Sequence, residues 1–311
     1  MVKKDKTTPF RTGASTGPTA EEMLMNCAVS KLKADRTPIP DNRFTLPPEY
    51  GVAGGGSSDA FNGHEYVDLG LPSGTKWAKM NVGAQTETDY GLYFAWGETT
   101  GYTASQVGTD KQFSWSDYAL TEDNGSTMSK YNATDNKTHL ELTDDAAAVN
   151  MGGDWHMPNR AQCLELFKET KNGFVTNAGA FTQCAWSDND GYSSPTTTTA
   201  AISGWDTAGY FFFKNTYTSV TDAITAEDYL FVPAAGYCVG DKVNGVGIGG
   251  SVWASALSSE NVEGAWLFIF SFNSGKAGVD GSYRYRGQSV RGVVGQMDEQ
   301  EESQPEAVPS K

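Results

Sequence analysis

Four cysteines and three histidines are the side chains of this sequence best suited to nucleophilic or metal chemistry. Cys27, Cys163, Cys184 and Cys238 lie far apart, with no Cys-x-x-Cys pair among them. A thiolate nucleophile needs a base such as His within hydrogen-bond reach, and a zinc centre needs Cys or His ligands at close spacing. His64, His139 and His156 supply neither pattern. The cysteines are therefore expected to be reduced and buried, and no catalytic or metal-ligating set is assigned. Asp144-Asp145 resembles a carboxylate pair, but adjacent acids at a helix start are better explained by the helix dipole. Asp188-Asn-Asp190 hints at calcium, yet the remaining oxygen ligands of such a loop are missing. No cofactor is expected, and the chain is not expected to be an enzyme.

Any site must then be held by elements that the composition allows. With 14 Tyr, 15 Phe and 8 Trp among 311 residues, a large packed core is available. The 35 glycines and abundant Asn, Ser and Thr favour short strands joined by many loops over a helical bundle. A net charge of −15 argues against nucleic acid, whose phosphates demand a basic surface. No run approaches the roughly 18–20 apolar residues that a membrane-spanning helix needs. Met1-Val-Lys-Lys-Asp-Lys6 is followed by polar residues, so no secretory signal is expected. The protein is expected either in a virion, made in the host cytoplasm, or in the cytoplasm itself.

Residues 1–63 read as an attachment or assembly segment. Thr19-Ala-Glu-Glu22 is a capping box, and Leu24, Met25, Ala28, Val29 and Leu32 follow at helical spacing. That stripe must pack on something, either the neighbouring domain or another subunit or carrier particle. Pro38, Pro40, Pro47 and Pro48 give an extended stretch, and Gly54-Gly-Gly-Ser-Ser58 a hinge. Residues 64–295 form the main domain and 296–311 an acidic, disordered tail around Asp298-Glu-Gln-Glu-Glu302. In the main domain, Tyr66-Val-Asp-Leu69 and Lys76-Trp-Ala-Lys-Met80 flank Pro72-Ser-Gly74 as a hairpin. One helix starts with Thr143 as cap, runs through Ala146–Val149 and stops at Gly152-Gly153. A second runs from Asn159, with Gln162 completing a capping box, to about Thr170. Beyond Lys171 only strands and loops are expected, with Pro195 and Thr196–Thr199 in an exposed loop.

Several stretches then carry a resemblance. They are Glu65-Tyr-Val-Asp-Leu-Gly-Leu-Pro-Ser-Gly-Thr-Lys-Trp-Ala78, Asn81-Val-Gly-Ala84 and Tyr90-Gly-Leu-Tyr-Phe-Ala-Trp-Gly-Glu98. Asp144-Asp-Ala-Ala-Ala-Val-Asn-Met-Gly-Gly-Asp-Trp-His-Met-Pro-Asn159 and Phe231-Val-Pro-Ala-Ala-Gly-Tyr237 continue it. Val252-Trp-Ala-Ser255, Ala265-Trp266 and Gly287-Gln-Ser-Val-Arg291 complete it. In this order they resemble the major paralogous domain proteins of gut anaerobes and their phages. The resemblance implies an α+β chain with a C-type-lectin-like fold, in the variant shared with formylglycine-generating enzyme. That fold has two helices, short and mostly antiparallel strands and long loops. Cys163 stands where relatives carry an aromatic residue and is read as a small core side chain. His156 replaces the usual Arg and is read as structural, and 190–228 is longer than in relatives. The reactive cysteine pair of the catalytic relative cannot be placed here, so that activity is not carried over. The Glu-Pro-Asn, Gln-Pro-Asp and Trp-Asn-Asp signatures of calcium-dependent sugar binding are absent from the sequence.

Members of the group include variable proteins of diversity-generating retroelements, which display diversified side chains near the C-terminus on an invariant scaffold. The resemblance implies that Trp253, Ser255, Trp266, Phe268 and Phe270 are framework. The implied ligand-binding positions are Ser251, Val252, Ala254, Ala256, Leu267, Ile269, Ser271, Gly281, Ser282, Tyr283, Tyr285 and Arg286. Strand alternation agrees, since Leu267, Ile269 and Ser271 share the face opposite Trp266, Phe268 and Phe270. The other reading of the same alternation is a core strand buried on both faces. The expected function is receptor recognition by a phage tail protein, with a bacterial surface protein or glycan as partner. The N-terminal segment would join the virion or further copies of the chain. The alternative is a bacterial surface or intracellular binding module of the same fold, with a formylglycine-generating-like enzyme third.

Overall fold

The computed structural model describes residues 59–125, 127–259 and 261–295. The expected N-terminal helix, Pro-rich stretch and hinge, Cys27 and the acidic tail lie outside the described residues. The early strands are β1 (Ala60–Phe61), β2 (His64–Val67), β3 (Lys76–Ala78), β4 (Tyr93–Phe94), β5 (Thr121–Glu122) and β6 (Thr127–Met128). Helices α1 (Ala146–Met151) and α2 (Arg160–Glu169) come next, followed by β7 (Thr170–Val175), β8 (Ala180–Ser187), β9 (Tyr192–Ala201) and β10 (Gly209–Lys214). After α3 (Val220–Thr225) come β11 (Tyr229–Pro233), β12 (Tyr237–Val239), β13 (Lys242–Asn244) and β14 (Gly249–Leu257). The chain closes with β15 (Gly264–Ser271), β16 (Lys276–Tyr283), β17 (Gln288–Ser289) and β18 (Val293–Val294). The protein is thus mixed α+β, mostly sheet with few helices.

Ten strands form one sheet in the order β11-β10-β7-β8-β9-β16-β15-β14-β17-β4, and β1-β2-β3-β18 form a second. Pairings in the large sheet are antiparallel except β14 with β17, where Val252 faces Ser289. The Tyr66–Met80 hairpin is present, with Tyr66 opposite Ala78 and Val67 opposite Trp77. The folded region begins before residue 64. Phe61 pairs with His64, its ring packs edge-on to Trp155 at 6.0 Å, and its carbonyl accepts the Trp155 Nε1–H at 3.0 Å.

Both faces of the large sheet are covered, and each helix supplies one cover. Cys163, Leu166 and Phe167 of α2 pack in a cluster with Phe212, Val252, Ala254, Phe268 and Phe270. Ala146, Ala147 and Met151 of α1 join Trp155, Trp253 and Leu267 in another. Val220 and Ala223 of α3 meet Phe211, Phe213 and Phe231 in a third. Along β10, Phe211 and Phe213 therefore face α3 while Tyr210 and Phe212 face the α2 cluster, which is strand alternation buried on both sides.

Several expectations are corrected here. Asp145, not Thr143, caps α1: its Oδ1 accepts the Ala148 N–H at 2.9 Å and its Oδ2 the Met157 N–H at 2.8 Å. Asp144 instead engages Lys130 and Tyr131. Gly152, at φ 67°, does end the helix, and α2 carries the expected Asn159–Gln162 capping box. A third helix, α3, was not expected. Ser219 caps it by accepting the Asp222 N–H at 3.2 Å, a Ser-x-x-Asp signature. Thr196–Thr199 are not a loop but part of β9, as suits β-branched residues. Pro195 stands beside the irregular register of Gln183 and Cys184, where a missing N–H is tolerated.

Candidate functional site

The C-terminal face is organised by one inward-pointing cation. Arg284 is fully buried, with its guanidinium 4.8 Å from the ring centre of Trp96. Its Nε donates to the Tyr118 hydroxyl at 3.0 Å. Nη1 donates to the carbonyls of Val262 at 3.0 Å and Tyr131 at 3.2 Å, and Nη2 to that of Lys130 at 3.0 Å. Carbonyl dipoles and ring faces, not a bonded carboxylate, meet this charge. Tyr118 passes the hold on by donating to the Trp96 carbonyl at 2.6 Å, and burial raises its pKa far above the usual phenol range. The backbone is pinned as well: Arg284 N–H donates to Glu263 and Trp96 N–H to the Arg284 carbonyl, both at 2.9 Å.

With Arg284 turned in, its neighbours are presented outward. Residues 283–286 form a turn closed by the Arg286 N–H on the Tyr283 carbonyl at 3.0 Å. Tyr283 is 44% exposed, and its ring stacks on that of Tyr285 at 5.8 Å and 15°. Trp115, in a 3-10 turn at Trp115–Asp117, meets Tyr285 at 4.7 Å and Tyr283 at 6.0 Å. Gly125 makes room for it, since a Cβ there would stand 2.4 Å from the Trp115 Cβ. The Arg286 guanidinium lies 5.4 Å from the Tyr283 ring centre and 6.0 Å from that of Tyr237. Tyr237 is brought there because Cys238 and Gly287 exchange backbone hydrogen bonds at 2.7 and 3.0 Å. Gly287 permits that approach, as a Cβ would fall 2.7 Å from the Phe113 ring. The Arg286 Nε is enclosed and has no hydrogen-bond partner among the described residues. The result is a shelf of Trp115, Tyr237, Tyr283 and Tyr285 rings around the half-buried Arg286 guanidinium.

Of the twelve sequence-predicted positions, the structure gathers Tyr283, Tyr285 and Arg286 into this shelf. Gly281 is exposed and Ser282 half-buried on the strand leading to it. Five others are corrected from outward to buried. Val252 and Ala254 are 0% exposed and Ala256 and Leu267 2%, while Ser251 at 5% hydrogen-bonds through its hydroxyl to Gln288. The physical reason is that β14 and β15 lie in the sheet interior with side chains packed on both faces. Val252 and Phe268 sit in the α2 cluster, Trp253 and Leu267 in the α1 cluster. Ile269 is half-buried against the α1 cluster. Ser271 is half-buried at the other end of β15, opposite Lys276. Of the expected framework, Trp253, Phe268 and Phe270 are enclosed, and Trp253 Nε1 donates to the Phe94 carbonyl at 2.8 Å. Trp266 is half-buried, with Arg160 4.4 Å over its ring, and Ser255 is half-buried too.

Sequence reasoning missed Trp115 and Tyr237 as members of the surface, and Arg284 as its anchor. Trp115 had a weak signal, a lone indole between serines in Ser114-Trp-Ser116. The groups weighed for chemistry have structural surroundings. Burial pushes the Cys184 thiol up to about 11 and that of Cys238 to about 12, and that of Cys163 higher still. His156 is buried, with Nδ1 2.9 Å from the Asp154 carbonyl and its backbone paired with Val293. Asp188 accepts the Trp186 Nε1–H at 2.8 Å and pairs with Lys168 at 3.2 Å, while Asp190 pairs with Lys276 at 3.1 Å. No family model matches this chain, and no curated protein or solved structure matches it either.

Proposed function

We propose that this chain is a receptor-recognition protein with a C-type-lectin-like scaffold, carried on a phage tail and diversified at its C-terminal surface by a retroelement. The observation that carries the reading is the shelf of Trp115, Tyr237, Tyr283 and Tyr285 around Arg286. Tyr, Trp and Arg are the side chains that most often anchor interfaces, and rigid rings lose little entropy when a partner covers them. Leaving such rings in water is unfavourable unless a partner uses them. The half-buried Arg286 guanidinium places a positive charge beside these rings, where its accessible edge can meet a carbonyl or carboxylate oxygen of that partner. The mixed α+β architecture and the motif order of the sequence support the lectin-like scaffold. Diversification would act at Gly281, Ser282, Tyr283, Tyr285 and Arg286, where a side chain can change without opening the core.

Labelled full-length protein applied to intact cells from a panel of gut anaerobes tests this. Saturable binding to some strains, weakened about tenfold or more in a Tyr283→Ala/Tyr285→Ala variant that melts normally, is expected. Absence of binding to every strain, or binding indifferent to that variant, overturns the reading.

A further inference from the structure

A cavity of about 480 Å³ opens at the other end of the large sheet from Tyr283. Strands β15 and β16 run from the Ser271–Lys276 pair near the cavity to the Gly264–Tyr283 pair near the shelf. At ~3.3 Å per residue, Gly264–Ser271 puts roughly 23 Å between the strand ends beside Tyr283 and Phe272, while Tyr237 of the shelf lies nearer the cavity, next to Gly245. Tyr90, Ile248 and Phe272 supply the apolar lining, and Asn177, Asp206 and Asn273 the principal polar side chains. The backbone of this lining is fixed by cross-bonds. Ala234 N–H donates to Ala208 at 2.8 Å, Gly247 N–H to Ala234 at 2.8 Å, and Phe272 N–H to Ile248 at 2.9 Å. The Phe272 ring rests 5.1 Å from that of Phe174. The frame is therefore in place before a ligand arrives, which removes part of the ordering penalty of binding.

We propose that this cavity is a second binding site, for a neutral saccharide. Its volume lies in the range of small-molecule sites. Tyr90 and Phe272 offer apolar surface for the C–H face of a sugar ring. One Asp206 oxygen takes the Thr207 hydroxyl at 3.1 Å, which leaves the other for a ligand hydroxyl. The side-chain amides of Asn177 and Asn273 have no intramolecular partner among the described residues. Each amide both donates and accepts, as does every sugar hydroxyl, so the two sets satisfy one another. No Lys or Arg lines the cavity, and its carboxylate together with a net charge of −15 repels anions. Asp206 is the sole carboxylate in the lining, too few oxygens for a calcium-bridged sugar, so binding needs no metal.

Saturation-transfer NMR on the full-length protein tests the site with glucose, galactose, mannose, N-acetylglucosamine and lactose. Each is measured with and without EDTA, with glucose 6-phosphate as the anionic control. At least one neutral sugar should bind with a Kd of about 1 mM, unaffected by EDTA, while the phosphate ester should not bind. Asp206→Ala and Asn273→Ala change exposed side chains, so both variants should melt like the parent and bind about tenfold or more weakly. Tyr283→Ala should leave sugar binding unchanged, which separates this site from the aromatic shelf. No transfer from any of the five sugars overturns the proposal. So does binding that survives the Asp206→Ala/Asn273→Ala double variant, that is lost with EDTA, or that is lost with Tyr283→Ala.

Discussion

Arg284 and Arg286 stand two residues apart in one turn and meet opposite surroundings. The first spends its donors on four protein oxygens in a fully buried setting; the second lies between two tyrosine rings, and its Nε has no partner among the described residues. Truncating Arg284 to Ala removes charge-assisted hydrogen bonds from buried acceptors, a loss of about 3 kcal/mol or more. Denaturant titration should show that loss, and Arg284→Lys should recover little of it, since an ammonium cannot span the same fork. Arg286→Ala should change stability by no more than about 0.5–1 kcal/mol. An equal loss for both would mean that the two arginines share one structural role. The sequence Tyr283-Arg-Tyr-Arg286 marks the region as aromatic and cationic, but not which arginine faces in. That depends on Trp96, Tyr118 and Tyr131, more than 150 residues away. The thiols give a second residue-scale test. Burial raises Cys163, Cys184 and Cys238, so in a Cys27→Ser background a thiol reagent at neutral pH should react only after unfolding. Rapid labelling of the native protein would contradict their enclosed placement.

Period-two alternation in β15 is legible, but it shows only that two faces differ, not that one of them is wet. Leu267 looked outward because Trp266, Phe268 and Phe270 claimed the other face, yet α1 and Trp253 cover it. Leu267→Ala should therefore cost about 2–5 kcal/mol, and Trp253→Ala about 3–5 kcal/mol. Tyr283→Ser, at a residue 44% exposed, should cost far less than either. If Leu267→Ala melts like the parent, the two-sided packing of β15 is wrong. Local signals were more dependable where the physics is local. Asn159 with Gln162 forms the expected capping box, and Asn159→Ala should cost about 1 kcal/mol in the same denaturant titration. Ser219-Val-Thr-Asp222 carried a comparable signature for α3, which is only six residues long and follows a run of strand-forming aromatics. The Thr-rich part of β9 was hidden for the opposite reason. Its low complexity suggested a loop, whereas pairing with β8 uses its β-branched residues as a strand.

At the scale of the molecule, the sequence conveyed the mixed α+β class, the Tyr66–Met80 hairpin and two helices, and it marked Tyr283, Tyr285 and Arg286 as candidates. It could not convey that Trp115 and Tyr237 join Tyr283 and Tyr285. That juxtaposition depends on the pairing of Cys238 with Gly287 and on the space left by Gly125. Because Phe61 already packs on Trp155, a fragment of residues 59–295 should fold alone and melt cooperatively, whereas one starting at 64 should be less stable. Calorimetry on the two fragments checks this, and equal melting would remove Phe61 from the core. The central claim is that the shelf recognises a partner while Arg284 and Trp253 only hold it in place. The direct test measures melting temperature and cell binding on the same full-length single variants: Trp115→Ala, Tyr283→Ala, Tyr285→Ala, Arg286→Ala, Arg284→Ala and Trp253→Ala. The account predicts that Tyr283→Ala, Tyr285→Ala and Arg286→Ala melt close to the parent, that Trp115→Ala, whose ring also packs on Tyr118, loses some melting temperature, and that all four bind about tenfold or more weakly per folded molecule, whereas Arg284→Ala and Trp253→Ala lose melting temperature. Shelf variants that unfold while binding per folded molecule stays unchanged would contradict it.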